Sequence, residues 1–213
     1  MARLRFNISM SLDGFIAGPH QSEQEPLGEG GMQLHEWVFG LEAWRESHGR
    51  EGGEVNPSTA VVDGWTENVG AAVMGRNMFG GRGPRGDDPW NGWWGDDPPF
   101  HMPVFIVTHH ARAPVTMQGG TSFHFVTDGI GSALDQAKEA AGGKDVNLGG
   151  GAQVAQQYLR AGLIDEVQIS LVPVLLGAGA RLFDDLGSMP IGLEPTRTVA
   201  APGVTHLAYR VVK

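Results

Sequence analysis

The chain's 213 residues carry a formal charge of −9 and include 33 glycines but no cysteine, a length sufficient for a single domain, residues 1–213, with its own apolar core. The missing cysteines exclude disulfides, thiol nucleophiles and cysteine-held metals and fit a reducing cytoplasm, while the acidic balance argues against nucleic acid or anionic membranes as partners. No stretch, residues 1–20 included, approaches the roughly 20 apolar residues that cross a bilayer, so a cytoplasmic protein is expected.

Leu4, Phe6, Ile8 and Met10 alternate with polar residues, which predicts a strand over Arg3 to Met10. Asp13-Gly14 turns the chain, and Phe15-Ile16-Ala17 continues past the turn. From Gly18 to Ser58 the sequence is rich in glycine and glutamate, as in long binding loops. Inside it Leu34, Trp37, Val38, Leu41 and Trp44 recur at helical spacing and predict one helix over Met32 to Glu46. Asn56 or Ser58 is placed to cap a second helix over Thr59 to Val69, with Pro57 near its first turn.

Ala71-Ala72-Val73-Met74 reads as a buried strand that turns into a helix through Gly75-Arg76-Asn77. Residues 80–100 form a further loop insertion of glycine, proline and aspartate with Trp90, Trp93 and Trp94. Those rings either shape a pocket or pack the loop itself. Val104 to Val107 is a third buried strand, ending in Thr108-His109-His110, and Ser122 to Val126 a fourth, with Phe123 and Phe125 on one face. Ser132 opens a helix with a capping-box-like start, closed by Gly142-Gly143.

The next stretch organises the functional reading. Val146 to Leu148 is a short strand, Gly149-Gly150-Gly151 follows, and Val154, Ala155, Tyr158 and Leu159 trace one helix face at once. A strand turning through bare glycine into a helix aims unpaired N–H groups and the positive end of the helix dipole at one point, where an anion fits. A tight turn with no ligand has the same sequence. Neither Gly-x-Gly-x-x-Gly nor a Gly-Lys-Ser/Thr loop is present. Glu166 to Val172 is a strand, Pro173 to Ala180 a glycine-rich return, and Val204 to Val212 a last strand. The order predicts an α/β three-layer sandwich with a mostly parallel central sheet and an antiparallel C-terminal edge.

The switches at Gly75-Arg76, Thr108-His109 and Gly149 to Gly151 would then meet on one edge of the sheet, where open parallel sheets bind ligands. Arg76 and Arg112 would add positive charge, which suits a dinucleotide. His101, His109 and His110 match no zinc spacing, and Asp87-Asp88 and Asp96-Asp97 read as solvated loop, so no metal is expected.

Ser11-Leu12-Asp13-Gly14, Val73-Met74-Gly75-Arg76, the triple-glycine turn and the run from Asp165 through Gly179 to Leu182-Phe183 resemble the dihydrofolate-reductase-like superfamily. The likeness is closest to the branch with the reductase domain of the bifunctional riboflavin-pathway deaminase-reductase. It spans nearly the whole chain outside 18–58 and 80–100. The resemblance implies NADPH. By it, Ile16 and Ala17 would lie near the nicotinamide, and Gly75, Arg76 and Asn77 near the adenosine 2′-phosphate and pyrophosphate. Thr108 and His109 would line the adenosine, with Arg112 as an extra cation. Gly150, Gly151, Ala152 and Gln153 would cradle the pyrophosphate, and Gln156 would reach the adenine. Relatives carry a cis peptide between the first two glycines, here Gly149-Gly150.

One departure concerns the acid that assists protonation in dihydrofolate reductases. Its position falls near Ser58 or Thr59, where no carboxylate stands; Asp63, one turn later, is the substitute on that helix face, and Asp13 or a water are the other proton sources. The zinc-dependent deaminase half is absent too, and Asp87-Asp88-Pro89 and Asp97-Pro98 only echo a branch motif. The expectation is a stand-alone NADPH-dependent reductase acting on a C=N or C=O of a pterin-, pyrimidine- or ribityl-type small molecule. Alternatives are a non-catalytic nucleotide-binding member of the fold and a flavin or deazaflavin in place of NADPH. Strand 166–176, read as an exposed edge, together with the resemblance, suggests a homodimer.

Overall fold

The computed structural model describes residues 2–22, 24–80 and 91–213; Trp90 and the Asp87-Asp88-Pro89 motif lie outside them. In chain order the elements are β1 (Leu4–Ser11), β2 (Phe15–Ala17), a 3₁₀ turn (Gly31–Leu34), α1 (Glu36–Phe39), α2 (Glu42–Ser47), α3 (Thr59–Asp63), β3 (Val69–Gly75) and α4 (Arg76–Gly80). There follow β4 (Pro103–Val107), β5 (Val115–Thr116), β6 (Ser122–Val126), α5 (Ile130–Ala140), β7 (Asp145–Leu148), α6 (Ala152–Arg160), β8 (Glu166–Val172), β9 (Ala180–Arg181), β10 (Leu193–Ala201) and β11 (Val204–Val211).

Among the described residues the main sheet runs β10-β11-β8-β1-β7-β3-β4-β6-β5. β8, β1, β7, β3, β4 and β6 pair in parallel. β11 is antiparallel to β8, β10 to β11, and β5 to β6. The fold is thus the expected mostly parallel sheet with antiparallel strands at its edges. A small second sheet pairs β2 with β9.

The sheet sorts its side chains by alternation. Ala71 and Val73 of β3 join Leu4, Phe6, Val146 and Leu148 under α5 and α6, the helices supplying Leu134, Ala137, Ala155 and Tyr158. Ala72 and Met74, on the opposite face, join Val104, Ile106 and Phe123 beneath Phe79 and Trp94. The third layer continues with Leu34 against Val172 and Val204, and with Val38 and Leu41 against Val62.

Four expectations need correcting. The helix over Met32 to Glu46 is three short turns broken at His35 and Gly40, because the Gly40 carbonyl accepts Glu54 N–H at 2.8 Å instead of continuing a helix. The helix over Thr59 to Val69 stops at Asp63; the Arg5 guanidinium takes the Gly64 and Glu67 carbonyls beyond it. Ser58 and Ser132 do not cap: Ser58 Oγ lies 2.9 Å from His206 Nε2, and α5 begins at Ile130 behind Gly129. Strand 166–172 is no sheet edge, being flanked by β1 and β11, so the edge-strand reason for a homodimer falls away. The real edge on that side is β10, which the sequence analysis did not contain.

Candidate functional site

β1, β7, β3 and β4 are consecutive neighbours and parallel, so their carboxyl ends open on one side. A cleft of about 940 Å³ runs along those ends. At about 4.8 Å per strand it crosses roughly 15 Å of sheet, room for an elongated ligand. Ile8 of β1 and Ile16 and Ala17 of β2 form one end of its wall, and Thr108 and His109 beyond β4 the other. Between them lie Gly75, Arg76 and Asn77 at the β3–α4 switch and Gly149, Gly151, Ala152 and Gln153 at the β7–α6 turn.

The two central switches brace each other. Gly149 N–H donates to Val73 O at 2.8 Å, and Gly75 N–H donates to Gly150 O at 2.7 Å. Gly75 has to be glycine, since a Cβ there would stand 2.8 Å from Val154 Cγ2 of α6. The cis peptide is Gly150-Gly151, one residue on from the expected Gly149-Gly150. α6 starts behind Gly151 without a side-chain cap. The first N–H groups of a helix have no partner within it, and here the residues that carry them, Ala152 and Gln153, belong to the cleft wall. These residues and Arg76 line the same cleft, and the positive end of a helix favours an anion. A wall of glycine and backbone amides at the β7–α6 turn has the donor chemistry that a phosphate-bearing ligand needs. Among the described residues no group of His, Asp and Glu is arranged to hold a metal ion.

Eleven expected residues share this wall: Ile16, Ala17, Gly75, Arg76, Asn77, Thr108, His109, Gly151, Ala152, Gln153 and Gln156. Of the expected cofactor-binding residues Gly150 and Arg112 do not share it, and Gln156 shares it but is otherwise engaged. Gly150 is buried, its carbonyl spent on Gly75. Arg112 stacks 5.1 Å from the Phe125 ring centroid and donates to Asn91 Oδ1 at 2.7 Å, off the wall. Gln156 lines the cleft, but its amide donates to the Arg181 carbonyl at 2.9 Å and holds β9 rather than reaching outward.

The two carboxylates expected to supply a proton do not suit that task. Asp63 is exposed at the end of α3 and forms no part of the wall. Asp13 accepts from Ser11 Oγ–H at 2.6 Å and from the Leu176 and Gly177 N–H groups at 3.1 and 2.7 Å. The Ser11 hydroxyl and those amides, working against partial desolvation, hold its carboxyl at about 2, so it stays ionised and locks the 11–14 turn onto the 174–177 segment.

Four more wall residues matter: sequence reasoning left Trp93 and Trp94 between a pocket and loop packing, and missed Arg181 and His35. Trp93 and Trp94 line the cleft, and Trp94 also packs edge-on against Phe100, so pocket and loop packing are both served. Arg181, in the wall as well, lies over the Phe15 ring at 4.9 Å and faces Asp184 at 3.5 Å. His35 is the second missed residue; nothing in its local sequence marks it, because it looked like one more residue of a continuous helix.

With this geometry in hand the class of protein is clear from comparison. The chain belongs to the RibD C-terminal domain family, whose model matches residues 2–206. It is 35% identical over 214 residues to the uncharacterized protein YyaP of Bacillus subtilis, covering 97% of this chain and 94% of that one. Among solved structures it resembles a candidate riboflavin-biosynthesis protein of Shewanella sp. PV-4 at a TM-score of 0.62 and 21% identity, each chain covered in full. It also resembles dihydrofolate reductase from Enterococcus faecalis complexed with NADP(H), at 0.52 and 13%, covering 99% of this chain and 97% of that one. The fold is dihydrofolate-reductase-like, with the C-terminal reductase domain of riboflavin biosynthesis as its family. No helix among the described residues is long and apolar enough to cross a membrane.

Proposed function

We propose that the chain is an NADPH-dependent reductase of a small heterocyclic substrate. The observation that carries the proposal is the convergence of three strand switches, an uncapped α6 N-terminus and Arg76 on one cleft of about 940 Å³. In this reading the amides of Gly151, Ala152 and Gln153 bind the pyrophosphate. Arg76 and Asn77 bind the 2′-phosphate that distinguishes NADPH from NADH, and a guanidinium is suited to that oxyanion. Thr108 and His109 border the adenosine. Ile16 and Ala17 border the nicotinamide. When bound, NADPH supplies a hydride to the carbon of a substrate C=N or C=O.

The chain's own part is to position and to exclude water. Ile8 and Ile16 give the β1 end an apolar wall, and Trp93 and Trp94 add aromatic surface. Of Asp63, Asp13 and water as proton sources, the two carboxylates lie off the cleft wall, which favours water. The test is a fluorescence titration with NADPH and NADH, followed by NADPH oxidation in the presence of dihydrofolate or 5-amino-6-(5-phosphoribosylamino)uracil. Tight, NADPH-selective binding with turnover of the aminouracil supports the reading. Binding of neither nucleotide removes it.

A second reading, a nucleotide-binding protein without turnover, draws on one observation. Ser58, near the position of the family's acid, points its hydroxyl at His206, within the sheet's polar interior. Saturable NADPH binding with no oxidation on any heterocycle would select it. A homodimer in solution is the proposed assembly, checked by light scattering.

A further inference from the structure

Gln156 lies in the cleft wall, 7% exposed, on the second turn of α6. Ala152 stands four residues before it, so both share one helix face. The start of that face is what the cofactor reading gives to the pyrophosphate; one turn below it sits a buried amide. The resemblance to dihydrofolate reductases implies that this side chain reaches the adenine. The structure directs it elsewhere: Nε2–H donates to the Arg181 carbonyl at 2.9 Å. α6 lays its backbone beside α5 and β3, and the long Gln156 side chain reaches from it to β9.

β9 needs such a hold. It forms a short ribbon with β2, Arg181 opposite Phe15 and Ala180 opposite Ala17, and an isolated pair of strands is marginal in water. Leu182 N–H donates to Gly14 O at 3.0 Å, and the Leu182 side chain is buried in the core that α6 also supplies. The Arg181 guanidinium lies over the Phe15 ring at 4.9 Å. Gly179, just before β9, has no room for a side chain, since a Cβ there would stand 2.0 Å from Ala17 O. β9 is thus pressed against the strand that carries Ile16 and Ala17, the residues bordering the nicotinamide in the proposed complex. Removing the Gln156 donor strands a part-buried carbonyl in this ribbon, and so short a ribbon shifts to satisfy it.

We infer that Gln156 is a positioning residue: its amide ties the start of α6 to the β2–β9 ribbon and so sets the nicotinamide site relative to the pyrophosphate site. This rests on the reductase reading and deepens it. Gln156 then serves the nicotinamide half of the cofactor without touching it, and has no part in the adenine site. The phosphates seat on the helix, and the helix holds the strand beside which the nicotinamide lies. A side chain acting in this way leaves the grip on the phosphates alone and changes only the fit of the nicotinamide.

The test compares NADPH with ADP-ribose 2′-phosphate, which keeps the adenine and every phosphate but lacks the nicotinamide, each titrated into the full-length chain. Gln156→Met keeps the length of the side chain and removes the donor. It is expected to bind NADPH about tenfold more weakly than the parent, while ADP-ribose 2′-phosphate stays within about twofold. Amide hydrogen exchange gives a second readout. The Leu182 N–H should exchange about tenfold faster in the variant, and the Ala155 N–H, bonded to Gly151 O, at the parental rate. Gln156→Ala, a strong helix former, should show the same split and stands in where the Met variant misfolds. Equal weakening of both ligands would return Gln156 to the adenine and overturn the proposal, as would parental affinity for NADPH or an unmoved Leu182 exchange rate. A parent that binds neither ligand defeats the cofactor reading. A parent that binds both, with no split in the variants, defeats the Gln156 assignment alone.

Discussion

Two imidazoles, one buried and one half-buried, divide the labour in this molecule. His206, on β11, is 3% exposed, with Ser58 Oγ 2.9 Å from Nε2 and Ser170 Oγ 2.9 Å from Nδ1; both hydroxyls are themselves buried. The Trp37 ring packs against it at 4.9 Å. His35 has no hydrogen bond at its buried nitrogen and turns part of its surface to a cleft. A polar group with all its partners inside the protein is architecture, tying α3 to β8 and β11. One that lacks them beside a cavity is available to a ligand.

The largest effects should fall on the architectural side. His206→Ala leaves two buried hydroxyls unpartnered and a void between them, and is expected to cost about 3 kcal/mol in urea unfolding. His35→Leu, by contrast, removes a poorly satisfied buried atom, and its stability should stay within about 0.5 kcal/mol of the parent. Equal losses at both sites would dissolve the distinction.

Acid sharpens the same contrast. Burial first, and then the Arg197 charge, lower the His206 pKa to about 4 from 6.5. The unfolded chain therefore takes up a proton below pH 6.5 that the native state refuses until about pH 4. Stability is present above pH 6.5 and declines as pH falls through that window, by about 3 kcal/mol if the whole shift is expressed. His206→Phe should flatten the stability curve between pH 6.5 and 4, whatever it does to absolute stability.

Next come the ligand-side changes. Gly75→Ala drives a Cβ into Val154 and should cost about 1–3 kcal/mol while weakening NADPH binding, seen together in thermal shift assays with and without nucleotide. Arg76→Gln should lose about tenfold in NADPH affinity, roughly 1.4 kcal/mol, and leave NADH nearly untouched. The smallest effect belongs to Asp13→Asn. Its native carboxyl sits at about 2 against an ordinary 3.8, so its contribution is present above pH 4 and fades from there toward pH 2. Circular dichroism should show the variant slightly less stable than the parent above pH 4 and level with it near pH 2.

Much of this molecule was legible in its sequence, for identifiable reasons. The buried strands β3, β4 and β7 advertise themselves as short apolar runs ending in glycine or threonine, and their parallel pairing puts the three switches on one edge. β10 was invisible: Leu193–Ala201 is almost wholly exposed, carries Pro195 at a register shift, and exists because β11 pairs with it. The 31–47 segment misled because successive short turns bury residues at the same spacing as one helix. His35 could not be found at all from spacing, since its place in the wall depends on where the long insertion folds back over β1 and β2. Asp13 and Asp63 failed for opposite reasons, the first too well bonded and the second too far from the cleft.

The central claim is that the edge spanning β1 to β4 grips a phosphorylated dinucleotide. Trp93 and Trp94 line that edge and make it observable. The most direct measurement is tryptophan emission during titration with NADPH, repeated on Arg76→Gln. The account predicts saturable quenching by NADPH that moves to about tenfold higher concentration in the variant. Emission that does not saturate in the millimolar range, or an Arg76→Gln curve that overlays the parent, would contradict it.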